Sequence, residues 1–414
     1  MFYFLIFLFL SLFFYLTYKN FFNALFLFLF LIPVYLIRFK ILSIPTTLLE
    51  MMLIIIFINW IFKYKKDFLT KTKEFYKKNK LFFYSLIIFL ISATLAIVVS
   101  SNTKSALGEW KAFYLEPILF FIILLTSIKT KKEINNLFFA LVLSGTITSI
   151  LAIYQHFTGF FVPYSFWENQ NTYRVTAWYG FPNAVGHFLG VIFPLAIYLI
   201  ISNFKENNLK KIISSLFVFL AILAIFFAKS TGAIIGILAS IFLLLIYYKK
   251  TRLVTIIFSS VTLIIFTFIP LNNPIKQELL FQDRSGQIRL NIWNETSEFL
   301  KVNPIFGAGL ASYSQKIIPF HKQVNGENIE IFHHPHNIFL TMWVNLGILG
   351  LISFVFLNLY CFYKYFKEKN ILKFFALTTL SCFLVMGLVD SPYIKNDLSF
   401  IYWFVLFLFF VRYE

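Results

Sequence analysis

An all-α polytopic membrane protein with about 12 or 13 transmembrane helices is the fold this sequence predicts, on three observations. Of its 414 residues, 59% are hydrophobic and only 13% are charged. The apolar residues fall into runs close to the roughly 20 residues that a helix needs to cross a bilayer core. The polar segments between runs are short, and no stretch mixes polar and apolar residues evenly enough to fold as a separate soluble unit. Residues 1–414 therefore read as a single integral membrane domain.

In order, spans are expected near residues 1–18, 21–38, 44–62, 81–100, 112–128, 136–157, 181–202, 212–228, 231–248, 253–270, 337–363, 371–389 and 398–412. The first lacks the basic n-region and small-residue cleavage site of a signal peptide, and further spans follow at once, so it is expected to be a retained helix. Eight lysines lie between Lys63 and Lys80, with further basic clusters at Lys129 to Lys132, Lys205 to Lys211, Lys249 to Arg252 and Lys364 to Lys373. Alternating spans put all five on one side, which the positive-inside rule makes cytoplasmic. Residues 271–336, with six Lys/Arg and six Asp/Glu, then lie outside. Thirteen spans put Met1 outside too, whereas a re-entrant or interfacial piece among the first three runs gives twelve and puts it inside.

The net charge of +18 would point to nucleic acid in a soluble protein. Here the lysines cluster in span connections, so membrane lipids are expected as partners and nucleic acid is not. Cys361 and Cys382 fall at or within apolar runs and read as small apolar residues, not as a disulfide framework.

Under this topology all six histidines, His156, His187, His321, His333, His334 and His336, fall at outer span ends or in outer loops. One-sidedness in the commonest general base points to a site at the outer interface. The densest cluster is HHPHN, residues 333–337, directly before an apolar run. Pro335 restricts the backbone and Asn337 can cap the helix that follows, which holds His336 at the mouth of a span. An interfacial loop rich in amphipathic side chains is the plainer alternative. A metal site is not expected, because two histidines straddling a proline, with no nearby Asp or Cys, match no common ligand spacing.

At about 65 residues, the outer segment is longer than ordinary connections, and such loops usually carry function. Within it, RLNIWNETSEFL has helical periodicity and places Arg289 and Trp293 four apart on one face. NPIFGAGLASY follows, a Pro/Gly turn whose Gly307 and Gly309 can bring backbone close to a ligand. The Asn294 sequon is read as chance. In RVTAWYGFPNAVGHFLG, Pro182 suits a first helical turn and Asn183 can satisfy free donors there. Arg174 beside that helix start would make a phosphate cradle. Lys229, in the outer turn AKSTGAIIG, is a further candidate anion contact. For each of these cations, snorkelling to lipid headgroups is the competing reading. Glu50, Glu116 and Asp390 are the acids nearest to apolar runs, the last two near expected span ends.

These segments, in this order, resemble the O-antigen ligase and polymerase family, which also includes bacterial protein O-oligosaccharyltransferases. HPHNIFLTMWVNLGILG is similar to the family's histidine-asparagine segment leading into a glycine-bearing helix. RLNIWNETSEFLKVNPIFGAGLASY looks like its arginine and tryptophan helix with the proline and glycine turn, and RVTAWYGFPNAVG like its arginine to proline-asparagine segment. Many members carry a serine-arginine-glycine turn where this chain has Ser230-Thr231-Gly232, so either Lys229 supplies the positive charge or the contact is absent. The resemblance implies a C-type glycosyltransferase-like fold in the bacterial inner membrane with a periplasmic site. It also implies an undecaprenyl diphosphate-linked glycan as donor, a lipid A core hydroxyl as acceptor, and inverting displacement without metal or cofactor. His336 would be the base, Arg174 and Arg289 the diphosphate contacts, and His334, Asn337, Asn183, Lys229, Trp293, Gly307 and Gly309 the substrate-binding residues. Polymerases that join lipid-linked repeat units and enzymes that glycosylate protein share these motifs. A secondary transporter is the reading from another class, but the charged candidates gather at outer ends and not at the bilayer midplane.

Overall fold

The computed structural model describes residues 1–162, 173–202 and 208–411, and nearly all regular structure in it is helical. The chain opens with α1 (Phe2–Lys19) and α2 (Phe21–Phe30), then the hairpin β1 (Arg38–Ile41) and β2 (Ile44–Thr47), then α3 (Leu48–Lys78) and α4 (Lys80–Val99). Next, α5 (Thr103–Glu109) runs through a π-helical turn at Trp110–Leu115 into α6 (Glu116–Ser127). Then come α7 (Lys131–Thr158), α8 (Pro182–Ile201), α9 (Asn208–Ala228), α10 (Thr231–Tyr247) and α11 (Lys249–Phe268). The expected outer segment holds α12 (Pro274–Leu279), α13 (Arg284–Val302) and α14 (Tyr313–Lys316), and the chain ends with α15 (Ile338–Lys367), α16 (Ile371–Met386) and α17 (Asn396–Leu408). Among the described residues, eight helices are long and apolar enough to cross a membrane, and four more apolar helices are shorter. The protein is an all-α polytopic membrane protein, as its apolar runs predict.

Three boundaries differ from expectation. The run 21–38 is not one continuous span: α2 stops at Phe30, a 3-10 turn with Pro33 follows, and the chain reverses in the β1–β2 hairpin. Pro33 has no N–H to continue the α-helical ladder, so the apolar run outlasts the helix. Residues 63–78, expected as a loop, continue α3, because a lysine-rich stretch still has good helix propensity. The helix expected from 112 starts at Thr103, where Asn102 accepts from the Ser105 N–H. Lys205, within one expected basic cluster, lies outside the described residues.

Side-chain contacts orient the first three passes. The Tyr3 ring lies 6.4 Å from that of Phe39 in the hairpin, while Phe21 lies 5.3 Å from Tyr64, just past the start of the lysine-rich half of α3. Thus α1 begins at the hairpin end and α2 begins at the lysine end. Of the two N-terminal arrangements, the chain follows the one that puts Met1 away from the lysines.

A large hydrophobic cluster, rich in aromatics such as Phe28, Phe89, Phe121, Tyr402 and Trp403, packs through most of the helices. Helix α15 is broken at Gly347, whose φ of 75° and ψ of −177° are not helical. The turn between Asn303 and Ala311 docks into the break. The N–H of Ile348 donates to the Ile305 carbonyl at 3.0 Å, and that of Ala308 to the Val344 carbonyl at 2.7 Å. Backbone groups freed by the break therefore find partners in the turn. Lys316 secures the same segment by donating to the carbonyls of Val99 and Ala308, both at 2.8 Å. Since α4 ends at Val99, this places the loop at the end of the helices away from the lysines.

Candidate active site

The turn between α16 and α17 gathers the reactive residues. At its centre Asp390 is 8% exposed and surrounded by donors. The Ser391 N–H donates to its Oδ1 at 2.8 Å and Asn183 Nδ2 to its Oδ2 at 3.1 Å. His336 Nδ1 lies 3.1 Å from Oδ1, and Nε2 of the buried His187 lies 3.6 Å from Oδ2. Burial pushes this carboxyl up, but His187 and the hydrogen bond from His336 outweigh it and hold the group well below the usual carboxylate range. Asp390 is therefore an anion, and an ionised carboxylate only accepts. His336 Nδ1 must then carry the ring proton facing it, and whenever the ring is neutral the lone pair is on Nε2.

The local chain presents His336 as the sequence predicts, with one addition. Asn337 caps α15, its Oδ1 accepting from the N–H groups of Phe339 and Leu340, while its Nδ2 donates to the Leu388 carbonyl at 3.0 Å. The addition is backbone strain: His336 has φ 49° and Lys229 φ 49°, positions that few side chains adopt without support from their surroundings. The ring centroids of His334 and His336 are 4.8 Å apart, and His334 Nδ1 is buried with no hydrogen-bond partner among the described residues. Burial, then the neighbouring His336, pushes the His334 imidazole down to about 3. It is neutral at any ordinary pH.

The two arginines converge on this centre from different elements. Arg289 and Trp293 share one face of α13, as their spacing predicts. Arg289 Nε donates to the Val389 carbonyl at 3.0 Å, and Trp293 Nε1 to that of Pro335 at 2.9 Å. Arg174 donates through Nη2 to Asn183 Oδ1 at 2.7 Å and to the Lys229 carbonyl at 3.0 Å, and through Nε to the Ala228 carbonyl at 2.8 Å. Burial, then Arg289, pulls Arg174 down to about 10, so it keeps its charge at neutral pH. Two guanidiniums close enough to oppose each other's charge are poised for an anion that would relieve the repulsion.

Some expected residues act differently. Asn183 is not the cap of α8: the cap position is Phe181, without a side-chain bond, and Asn183 bridges Arg174 to Asp390 instead. Pro182 occupies the first turn, so the amide is free for that bridge. Lys229 is exposed and contributes its carbonyl to Arg174. Gly307 and Gly309 face protein backbone: a Cβ would lie 2.3 Å from the Val344 carbonyl oxygen at the first and 2.7 Å from that of Ala96 at the second. Their positive φ values of 63° and 81° serve the docking of the turn. Of the histidines, His156 stacks on Phe227 with ring centroids 3.7 Å apart, and His321 lies 3.3 Å from Glu295.

Asp390 was not singled out as a site residue from the sequence. An acid at the end of an apolar run reads as interfacial, and only the fold shows that it joins His336, Asn183 and His187. It also removes the ground on which a metal was set aside, since candidate ligand atoms of His334, His336 and Asp390 lie within 4.8 Å of one another. The surroundings still suit an anion better. Both Asp390 oxygens already accept hydrogen bonds, and Arg174, Arg289 and Lys395 crowd the same turn. A hard or borderline cation would meet their repulsion.

The fold and this cluster define an all-α polytopic membrane protein with imidazole, carboxylate and guanidinium groups joined at one end of its helices. The family resemblance read from the motifs is borne out: residues 216–355 match the O-antigen ligase family model. The match includes Lys229, Arg289, His334, His336 and Asn337, with Arg174, Asn183 and Asp390 outside it. A Rickettsia felis protein provisionally named a polysaccharide ligase is 30% identical over 47% of this chain and 49% of its own length. A Rickettsia typhi protein with the same provisional name is 33% identical over 41% and 42%. The chain spans about half the length of these curated relatives or less.

Proposed function

We propose that this protein is a glycosyltransferase that moves a glycan from undecaprenyl diphosphate to a lipid A core hydroxyl, on the periplasmic face of the bacterial inner membrane. The observation that carries the reading is His336 bonded to the anionic Asp390, with Arg174 joined to the same carboxylate through Asn183 and Arg289 bonded to the next carbonyl. A carboxylate that fixes the tautomer and orientation of an imidazole makes it a positioned base.

In the proposed reaction, His336 Nε2 takes the proton of the acceptor hydroxyl as its oxygen attacks the anomeric carbon from the face opposite the diphosphate. The bond from that carbon to the diphosphate oxygen breaks, and undecaprenyl diphosphate leaves with its negative charge met by Arg174 and Arg289, and by Lys229 at the rim. The product is inverted at the anomeric carbon. Asp390 stabilises the imidazolium without taking its proton. A diphosphate leaving group balanced by two guanidiniums needs neither metal nor nucleotide.

The test offers purified protein a synthetic undecaprenyl diphosphate glycan with lipid A core and free donor as acceptors, for wild type and His336→Ala. Glycan on lipid A core in wild type alone supports the proposal. Elongation of donor chains would make the protein a polymerase, and donor binding without transfer to either would leave a protein acceptor or transport.

A further inference from the structure

The turn that opens α10 lies between the contacts of the two guanidiniums. The carbonyls of Ala228 and Lys229 accept from Arg174, and a Cβ on Gly232 would lie 3.1 Å from Val389, whose carbonyl accepts from Arg289. Between these contacts the Thr231 hydroxyl donates to Glu278 Oε1 of α12. Helix α12 is tied down again by Lys276, which donates to the carbonyls of Thr267 and Ile269 at 3.2 and 2.6 Å, at the end of α11. An exposed acid is thus fixed beside a group of cations. Its charge reaches Arg174: burial and Arg289 weaken that cation, and Glu278 and Asp390 act against them. Among the described residues no ion pair of Glu278 is found.

A carboxylate in this place opposes any phosphate that the guanidiniums bind, and it opposes the more highly charged phosphate more. The two lipids of the proposed reaction differ in that respect. In the donor, the phosphate bonded to the glycan carries a single charge. Transfer breaks the bond from the anomeric carbon to oxygen, the oxygen keeps the electron pair, and the acceptor proton goes to His336. The released terminal phosphate ionises a second time near pH 6 and carries about −1.5 to −2 at neutral pH. We infer that Glu278 discriminates between donor and product, weakening the hold of the site on free undecaprenyl diphosphate more than on the glycan-linked donor, and so favours product release. The glycan also brings hydroxyls from which a carboxylate accepts, and the free product has none of them. This inference rests on the reading of the site as a transferase with a diphosphate donor.

The experiment titrates detergent-purified full-length protein with undecaprenyl diphosphate and with a synthetic undecaprenyl diphosphate-linked glycan, and measures both dissociation constants. It compares wild type, Glu278→Gln, and Glu298→Gln, whose acid lies on α13 and pairs with Lys322 at 2.9 Å. Glutamine still accepts from Thr231, so α12 should stay in place, and an unchanged melting temperature checks that it does. Glu278→Gln should tighten the product about tenfold and the donor by less than about threefold, as removal of one partly screened charge allows. Inhibition of transfer by added undecaprenyl diphosphate should strengthen to match. Glu298→Gln should change neither constant. Equal shifts for both lipids, as a purely structural tie between α12 and α10 would give, or no shift for the product, would overturn the inference and leave the proposed reaction standing. Failure of wild type to bind either lipid would overturn the reading of the site, and the inference with it.

Discussion

His336 Nδ1 and Asp390 Oδ1 lie 3.1 Å apart although 54 residues separate them in the chain. The contact joins the cap of α15 to the turn after α16, and the backbone repeats the link, with Ile338 N–H donating to the Gly387 carbonyl at 2.7 Å. The imidazole thus gains its orientation from a second element, a constraint that a histidine merely facing water would lack.

Asp390→Asn should keep the shape of the site and lose its chemistry. The amide can donate to Nδ1 and favour the wrong tautomer, so transfer should fall by about 10² to 10⁴ fold. Donor binding should change little, and adding His336→Ala should cost little more, because the two act as a unit. Initial rates of glycan transfer with each single and double variant check this. A double variant that multiplies the two single losses would separate the residues.

Arg174→Lys tests whether the guanidinium fork matters or only its charge. Arginine here makes bonds to Asn183, Ala228 and Lys229 from two different nitrogens, a pattern that one ammonium cannot copy. A loss of about tenfold or more in kcat/KM for the lipid-linked donor is expected, in the range of one or more charge-assisted hydrogen bonds. Lys229→Gln should have a smaller effect, because that side chain is exposed.

Much of this arrangement was legible beforehand, and the parts that were not share a cause. The apolar runs, the cap by Asn337, and the common face of Arg289 and Trp293 are local properties, set by neighbours within a turn or two. Asp390 gains its role only from contacts with distant residues, so its surroundings in sequence say nothing of it. Gly307 and Gly309 did signal unusual backbone, but the partner that approaches is α15 and α4, not a ligand. Pro33 was visible in its run, yet hydropathy does not register that it ends a helix.

Gly347→Ala should destabilise the protein without touching the site. Its φ of 75° is costly for alanine, by about 1–3 kcal/mol on backbone strain alone. The added Cβ would also meet the Ile305 carbonyl oxygen at 2.1 Å. The turn from Asn303 must then shift. A clear fall in melting temperature in detergent is expected, larger than for Gly326→Ala, where the φ of 81° is similar but the space around it is open. Equal falls would mean that packing at the break adds nothing.

The acid side of the stability profile should carry the signature of His334. Burial, then His336, holds its folded pKa at about 3, against about 6.5 in an unfolded chain. The folded state therefore prefers the neutral ring. Its contribution is complete above about 6.5 and is lost as pH falls from there toward 3, where the unfolded state takes up a proton that the folded state does not. Asp390, held below its unfolded value near 3.9, loses its contribution only under that value. Between pH 4 and 6.5, His334→Gln should flatten the fall in melting temperature.

Chelation separates the two chemistries that the cluster at Asp390 allows. His334, His336 and Asp390 approach closely enough to share a cation, but Asp390 is already bonded, and Arg174, Arg289 and Lys395 stand around the same turn. A dication held between Asp390 and His336 Nδ1 would displace the Nδ1 proton and so remove the hydrogen bond that orients the ring. If the guanidiniums supply the charge for the leaving diphosphate, EDTA treatment followed by assay in metal-free buffer should leave the transfer rate unchanged, and added Mg²⁺, Mn²⁺ or Zn²⁺ should not raise it. Zn²⁺ should inhibit at high concentration by capturing His334 and His336. A rate lost on chelation and restored by one metal would assign the three residues as ligands and move the role of base to another group.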